Sequence, residues 1–264
     1  MKKKIGIAIS TYSEEKTNDE RYKIIDNSLK SLQDLKVDSK FELYIIIVVD
    51  GNIPNIHNNI LNKYNFKIYR KTHNGGVAKI KNTSIRLLLE ENIDIGFLAD
   101  DDVLYKNGII EKYVNTISNA NIHHMGFCQM HPLVHPKNEW EKMGYIETIY
   151  NGEKVMKHGG GGVGCWLSFT PELIKQIGYF KVMDGKYGYE HINFTLRCIY
   201  HKMIPFAIDV VEPLNYIDHI GFEPVGYNKF KKNHSITEEY RISENNKNKK
   251  IYKDNLDTYV ELIE

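Results

Sequence analysis

Short apolar runs alternate with segments of helical spacing over roughly the first hundred residues, and few folds accept that alternation. Runs rich in Ile and Val occupy residues 4–9, 41–49, 66–69 and 95–99. Between them Tyr22, Ile25, Leu29 and Leu32 recur at intervals of about three and four, as do Val77, Ile80, Ser84 and Leu88. That spacing puts each set on one helix face. Strands alternating with amphipathic helices predict an α/β fold: parallel βαβ units with right-handed crossovers, and helices flanking both faces of a mostly parallel sheet. In such sheets ligands bind beyond the carboxyl ends of the strands. The segments to inspect are therefore 10–15, 50–52, 71–76 and 100–102, and all four are polar.

After about residue 105 the rhythm changes. A helical pattern over 109–117 leads to a strand-like 124–130 and a stretch rich in Pro, Trp and Gly. Another strand-like run at 164–169, a helix opening at Pro171 and a helix from about 190 to 201 follow. This predicts a mixed α+β half over 106–222, joined to a βαβ half over 1–105. The tail, 223–264, is rich in Lys and Asn. Tyr252, Leu256, Tyr259, Val260 and Ile263 share one face there, predicting a terminal amphipathic helix that docks on the rest.

Charge and hydropathy exclude several classes. Lys and Arg (35) nearly balance Asp and Glu (34), so no general field draws nucleic acid, and no nucleic-acid partner is expected. The tail cations Lys229, Lys231, Lys232, Lys247, Lys249 and Lys250 leave peripheral membrane contact open. The longest apolar run, 41–49, contains Glu42 and is half a membrane span at best. The opening Met-Lys-Lys-Lys is followed by too short an apolar run for a signal peptide. Three scattered cysteines, Cys128, Cys165 and Cys198, predict reduced thiols in a cytoplasmic protein.

The strongest local signal is Asp100-Asp101-Asp102 at the end of an apolar run. Three adjacent carboxylates repel one another unless a hard divalent cation such as Mg²⁺ or Mn²⁺ lies between them. An acidic turn capping the following helix is the plainer alternative. Gly159, Gly161 and Gly164 spell a dinucleotide fingerprint, but they lead into a strand-like run rather than a helix. His131 and His135 have the spacing of a zinc helix that Pro132 and Pro136 would break.

Taken in order, the motifs resemble the family 2 glycosyltransferases and their GT-A relatives, over about residues 4–221. Ser10-Thr11-Tyr12-Ser13 stands for the family's first strand-end turn. Asp50-Gly51-Asn52 stands for its Asp-Asp-Gly-Ser, with one Asp missing. Asn74-Gly75-Gly76-Val77-Ala78-Lys79-Ile80-Lys81-Asn82 stands for an Asn-x-Gly-x-x-x-Ala-Arg-Asn helix start, keeping Asn74, Gly76 and Asn82, with Lys81 for Arg. The acidic triplet then stands for Asp-x-Asp. Downstream, Tyr187-Gly188-Tyr189-Glu190-His191 falls where the family carries Gly-Glu-Asp, with His191 in place of Asp. The segment Ile217-Asp218-His219-Ile220-Gly221 resembles a late His-containing element that supplies a metal ligand in several branches.

The resemblance implies a GT-A type, Rossmann-like fold and a metal-dependent sugar transfer, inverting in the first reading, with retention as the alternative because some branches with a similar Glu-containing element and a late His retain configuration. The implied donor is a nucleotide-diphosphate sugar, UDP-linked, and the implied acceptor a glycan, a lipid-linked glycan or a protein. Thr11, Tyr12, Asp50, Asn74, Gly76, Lys81, Asp100 and Asp101 are implied in nucleotide binding. Asp102 and His219 are implied as ligands to Mn²⁺ or Mg²⁺. The base that deprotonates the acceptor is Glu190 or His191. Glu190 opens a helix, a place that predicts a carboxylate aimed out of the fold. A nucleotide-sugar-binding scaffold without catalysis is the alternative, favoured by the missing Asp before Asp50 and by His191. A nucleotidyltransferase ranks below both, since residues 10–16 lack a Gly-rich basic loop.

Overall fold

A computed structural model describes residues 2–264 except 15–16, 18, 128–139, 160–162 and 221–237. Of Met143, Val163, His219, Glu238 and Arg241 only the backbone is described. Cys128, His131, His135, Gly161, Gly221, Lys229, Lys231 and Lys232 therefore lie outside the described residues.

Four parallel strands form the heart of a six-stranded sheet: β1 (Lys3–Thr11), β2 (Phe41–Val49), β3 (Lys67–Arg70) and β4 (Ile95–Asp100). Strands β1 and β4 and the second half of β2 are buried on both faces, which is why they read as near-continuous apolar runs, whereas β3 lies at the sheet edge and is partly exposed. Ile5, Ile7, Ile9, Ile46, Ile47, Val48 and Phe97 are all fully buried. Helices α1 (Asp19–Gln33), α2 (Asn55–Leu61) and α3 (Val77–Glu90) make the crossovers. The strand order is β3-β2-β1-β4, so the chain first winds one way and then reverses between β1 and β4. With right-handed crossovers that reversal puts α3 on the face opposite α1 and α2, and it opens a crevice past the ends of β1 and β4.

The same sheet continues into the second half. Strands β9 (Val163–Phe169) and β6 (Gly126–Phe127) extend it antiparallel beyond β4, so 1–105 and 106–222 share one sheet. Trp166 of β9 is wholly buried and stacks on Phe97 at 4.5 Å, so this tryptophan is core. Helix α4 (Ile109–Ala120) precedes β6. A small antiparallel sheet of β7 (Ile146–Tyr150), β8 (Glu153–His158) and β10 (Ala207–Val210) lies beside it. The β7–β8 hairpin turns at Asn151-Gly152, both with positive φ (49° and 84°), as a tight two-residue hairpin turn requires. Strand β5 (Val103–Tyr105) pairs antiparallel with β11 (Ile217–His219). Helix α5 (Pro171–Ile177) is capped by the Thr170 hydroxyl, which accepts from Leu173 N–H, and α6 (Glu190–Tyr200) follows.

The tail departs from its predicted form. Its helix, α7, spans Glu238–Lys249, and residues 250–264 form turns and a single bridge between Gly178 and Val260. The apolar spacing of Tyr252, Leu256 and Tyr259 is therefore not helical. Hydrogen bonds to its main chain hold the end instead: Tyr179 N–H donates to the Val260 carbonyl at 2.9 Å, and the side-chain amide of Asn82 donates through Nδ2 to the Ile263 carbonyl at 3.0 Å. Among the described residues no helix is long and apolar enough to cross a membrane.

His124 makes the fold acid-sensitive. Its Nδ1 lies 2.7 Å from the Ser168 carbonyl and Nε2 lies 2.9 Å from the Thr195 hydroxyl. A carbonyl only accepts, so Nδ1 carries the proton and Nε2 accepts. Burial pulls this imidazole down to about 4 from 6.5. Between those values the unfolded chain binds a proton and the folded chain does not, so stability is full above pH 6.5 and lost as pH falls. At pH 5 the loss is on the order of 2 kcal/mol. Urea unfolding at pH 7 and pH 5 checks this, and His124→Gln is expected to shrink the difference without abolishing it, because burial also holds His57 down at about 4.

Candidate active site

The crevice between β1 and β4 is lined by the residues at which those strands end. Ser10 pairs in register with Asp100, so the post-β1 turn and the acidic triplet face each other. The three acids have different fates. Asp101 is buried (4% exposed), paired with the Arg21 guanidinium of α1, and accepts the Thr11 hydroxyl proton. Thr11 Oγ1 then accepts from Nε2–H of His57 at 2.9 Å, and His57 Nδ1 accepts from the Ser13 hydroxyl. Burial holds His57 neutral, down at about 4. This chain of contacts locks the β1 turn to the acidic turn from beneath.

Asp100 is partly exposed and pairs with Lys81 Nζ at 3.0 Å. Lys81 is buried (1% exposed) and also donates to the Gly164 carbonyl at 3.0 Å. Two protein cations thus relieve part of the repulsion that the triplet implies in sequence. Asp102 is half-buried, and its carbonyl accepts from Ile220 N–H at 3.0 Å. The β5–β11 pairing places His219 opposite Val103, beside Asp102 in the chain, although the His219 side chain lies outside the described residues. Among the described residues, no group of three or more His, Cys, Asp or Glu side chains is arranged to hold a metal.

The β2 end and the start of α3 form a second wall. Asp50, buried and with its pKa raised by that burial, accepts from the N–H groups of Gly75 (3.0 Å) and Gly76 (3.1 Å). Asn74 Oδ1 also accepts from Gly76 N–H at 3.0 Å. The side-chain oxygens of Asp50 and Asn74 are therefore spent on the turn that opens α3. Tyr12 is half-buried, and the hydroxyl of Tyr187, pushed up to about 12 by burial, is hydrogen-bonded with the Asn74 side chain.

Glu190 and His191 open α6 on the far side. The Glu190 carboxylate is buried (3% exposed), against the expectation that it aims out of the fold. Its Oε1 lies 3.3 Å from His191 Nδ1, and its Oε2 has no hydrogen-bond partner. The His191 side chain retains 22% exposure and lies flat against Gly164, where a Cβ would stand 2.3 Å from the ring. Gly164 is required there because any side chain would occupy the imidazole's place. The Gly164 carbonyl is the one that Lys81 holds. Asp100, Lys81, Gly164 and His191 thus form one contiguous path from the end of β4 to the start of α6.

Arg21 and His57 escaped the sequence reading. A signal for Arg21 exists: Arg21, Ile25, Ser28 and Leu32 follow the buried stripe of α1, and a cation on such a stripe needs an acid. His57, inside a polar turn of α2, carries no such mark.

No family model matches the chain. An uncharacterized glycosyltransferase of Acanthamoeba polyphaga mimivirus is 38% identical over 266 residues, covering 99% of this chain and 96% of that protein. Among solved structures, S. aureus TarS in complex with UDP-GlcNAc aligns at TM-score 0.53 and 15% identity, over 88% of this chain and 64% of that one. The mannosyltransferase PcManGT from Pyrobaculum calidifontis, in complex with GDP-Man and Mn²⁺, aligns at TM-score 0.51 and 14% identity, over 75% and 52%. The chain thus spans only 52% to 64% of these two solved chains, and the likeness to them is one of fold. With a relative this similar over nearly its whole length, and with this sheet, the chain belongs to the glycosyltransferases and has the GT-A type of fold.

Proposed function

We propose that the protein is a divalent-metal-dependent, inverting transferase that moves a sugar from a UDP-linked donor onto an acceptor hydroxyl. The observation that carries this reading is the path Asp100–Lys81–Gly164–His191, which joins the acidic strand end to a histidine opening a helix across the crevice. In this reading Thr11, Tyr12, Asp50, Asn74 and Gly76 shape the nucleotide cradle. Asp50 and Asn74 do so by fixing the backbone of the turn rather than by touching the base. Lys81 and Asp100 face the ribose and phosphates, while Asp101 holds the acidic turn in shape through Arg21.

Asp102, with His219, would hold the metal. A carboxylate and an imidazole suit Mn²⁺ or Mg²⁺, and the complex of PcManGT with Mn²⁺ supports the choice. When bound, the ion neutralises charge that develops on the leaving diphosphate. His191 takes the proton of the acceptor hydroxyl, and the freed oxygen attacks the anomeric carbon from the face opposite the departing diphosphate. The new C–O bond forms as the sugar–phosphate bond breaks, inverting the centre. Glu190 stays behind the imidazole, its carboxylate 3.3 Å from an Nδ1 that makes no hydrogen bond, and its charge favours the imidazolium formed when the ring takes the proton. The complexes of TarS with UDP and with UDP-GlcNAc support a uridine donor. The buried, unpaired thiols of Cys165 and Cys198 support a reducing compartment such as the cytoplasm.

A panel of nucleotide sugars tests the proposal, with nucleoside diphosphate release followed with and without Mn²⁺ and with added glycan acceptors. Release from a UDP-sugar that needs Mn²⁺ and rises with acceptor is expected. Tight UDP-sugar binding with no release under any condition would leave the binding-only scaffold as the better reading.

A further inference from the structure

The loop that leads into Glu190 and His191 is held from outside by the tail. Glu244 and Asn248 lie one helical turn apart on α7 and are both buried (4% and 1% exposed). Asn248 Oδ1 accepts from Gly185 N–H at 2.7 Å. Its Nδ2 faces three carbonyls, those of Gly185 (3.0 Å), Tyr187 (3.1 Å) and Gly188 (2.7 Å). Glu244 Oε2 accepts from Lys186 N–H at 2.8 Å. A buried amide with this many main-chain partners specifies the path of the backbone it grips.

The grip reaches the site on two sides. The Lys186 carbonyl accepts from Val77 N–H, at the start of α3, at 3.0 Å. In the other direction the loop ends at Tyr189, a bulky residue with φ of +65° that immediately precedes Glu190. Such a backbone persists only where its surroundings over-determine it. Here the Tyr252 ring lies 4.7 Å from the Tyr189 ring, and the Tyr252 carbonyl accepts from Asn193 of α6 at 2.8 Å. Gly188, at φ +89°, allows the close approach, since a Cβ there would meet Asn245 Oδ1 at 1.3 Å.

We infer that Glu244 and Asn248 are positioning residues: they fix the loop 185–188 so that the first turn of α6 presents His191 to the crevice. The role rests on the transferase reading above. It acts on the acceptor side more than on the donor side, because Asp50 and Asn74 hold the Gly75–Gly76 turn by three hydrogen bonds of their own, while the gripped loop meets the start of α3 through the Lys186 carbonyl.

The test uses the full-length protein with Asn248→Ala, Asn248→Asp and an exposed control on the same helix, Asn246→Ala. A 1 Å displacement of a catalytic group costs up to about 10²-fold, so Asn248→Ala is expected to lower kcat about 10–100-fold with donor KM within about threefold. Asn248→Asp keeps the acceptor for Gly185 N–H and loses the donated bonds, so an intermediate loss is expected. It also serves should the alanine variant fail to fold. In parallel, amide hydrogen exchange at Gly185 and Lys186 should quicken about tenfold in Asn248→Ala while β1 and β4 stay protected. Variants that turn over like wild type, or lose donor affinity and kcat in equal measure, would overturn the positioning role. A wild-type protein that releases diphosphate from no nucleotide sugar would instead overturn the transferase reading, whatever the exchange shows.

Discussion

Replacing His191 with Asn is expected to cut kcat for sugar transfer about 10²–10⁴-fold and to leave donor KM close to wild type. Asn fits the space against Gly164 and keeps a polar tip, but it cannot accept a proton at neutral pH. The companion change Glu190→Gln keeps the shape of the buried side chain and removes its charge. Because Glu190 is 3% exposed and faces His191 Nδ1 at 3.3 Å, its effect runs through the imidazole and is expected to be the smaller, about tenfold. Single-turnover kinetics with saturating donor separate the chemical step from binding. Should Glu190→Gln abolish turnover while His191→Asn does not, the two roles are exchanged. Normal turnover in both would mean that no base sits here, and a retaining route would then fit better.

Asp102→Ala is expected to lower kcat/KM by about 10²–10³-fold and to make UDP affinity indifferent to Mn²⁺ in calorimetry. The neighbouring acid gives the contrast. Asp101 is locked in a buried pair with Arg21, and breaking such a pair leaves an uncompensated charge. Asp101→Ala is therefore expected to destabilise the fold by about 3–5 kcal/mol, read in urea unfolding. Asp102→Ala should unfold near the wild-type midpoint. If Asp102→Ala retained a full Mn²⁺ response, the proposed ligand would be wrong. A stable Asp101→Ala that lost the Mn²⁺ response would move the ligand to that position.

Much of the parallel part of the sheet is legible without coordinates because its signals are local. The run at 41–49 coincides with β2, and those at 4–9, 66–69 and 95–99 lie within two residues of β1, β3 and β4. A strand buried on both faces must be apolar throughout, and a helix covering it must repeat at three to four, so composition and period carry the assignment. The hairpin at Asn151-Gly152 carried an equally local signal, and its turn chemistry marks it plainly in retrospect. The tail misled for the opposite reason. Apolar residues at helical spacing over 252–263 include Val260, whose main chain pairs with Ile177 and Tyr179, and Ile263, whose carbonyl accepts from the Asn82 side chain, and these hydrogen bonds outweigh the intrinsic period.

The charges divide along the same line. Residue types and order single out Asp100, Asp101 and Asp102 at a strand end, and the family resemblance adds Glu190 and His191 at a helix start. Which acid is neutralised inside the fold depends on Arg21, eighty positions away from Asp101, and on Lys81, nineteen from Asp100. The burial of Glu190 behind His191, and the grip of Asn248 on the loop before it, likewise depend on residues brought together only when the sheet closes and the tail returns. An ionisable group's state is set by its solvation and its nearest charges, and both are properties of the packed neighbourhood rather than of the local chain. Sequence alone therefore determined the sheet, its crevice and the list of acids, and tertiary packing decided which of those acids remain at the crevice surface.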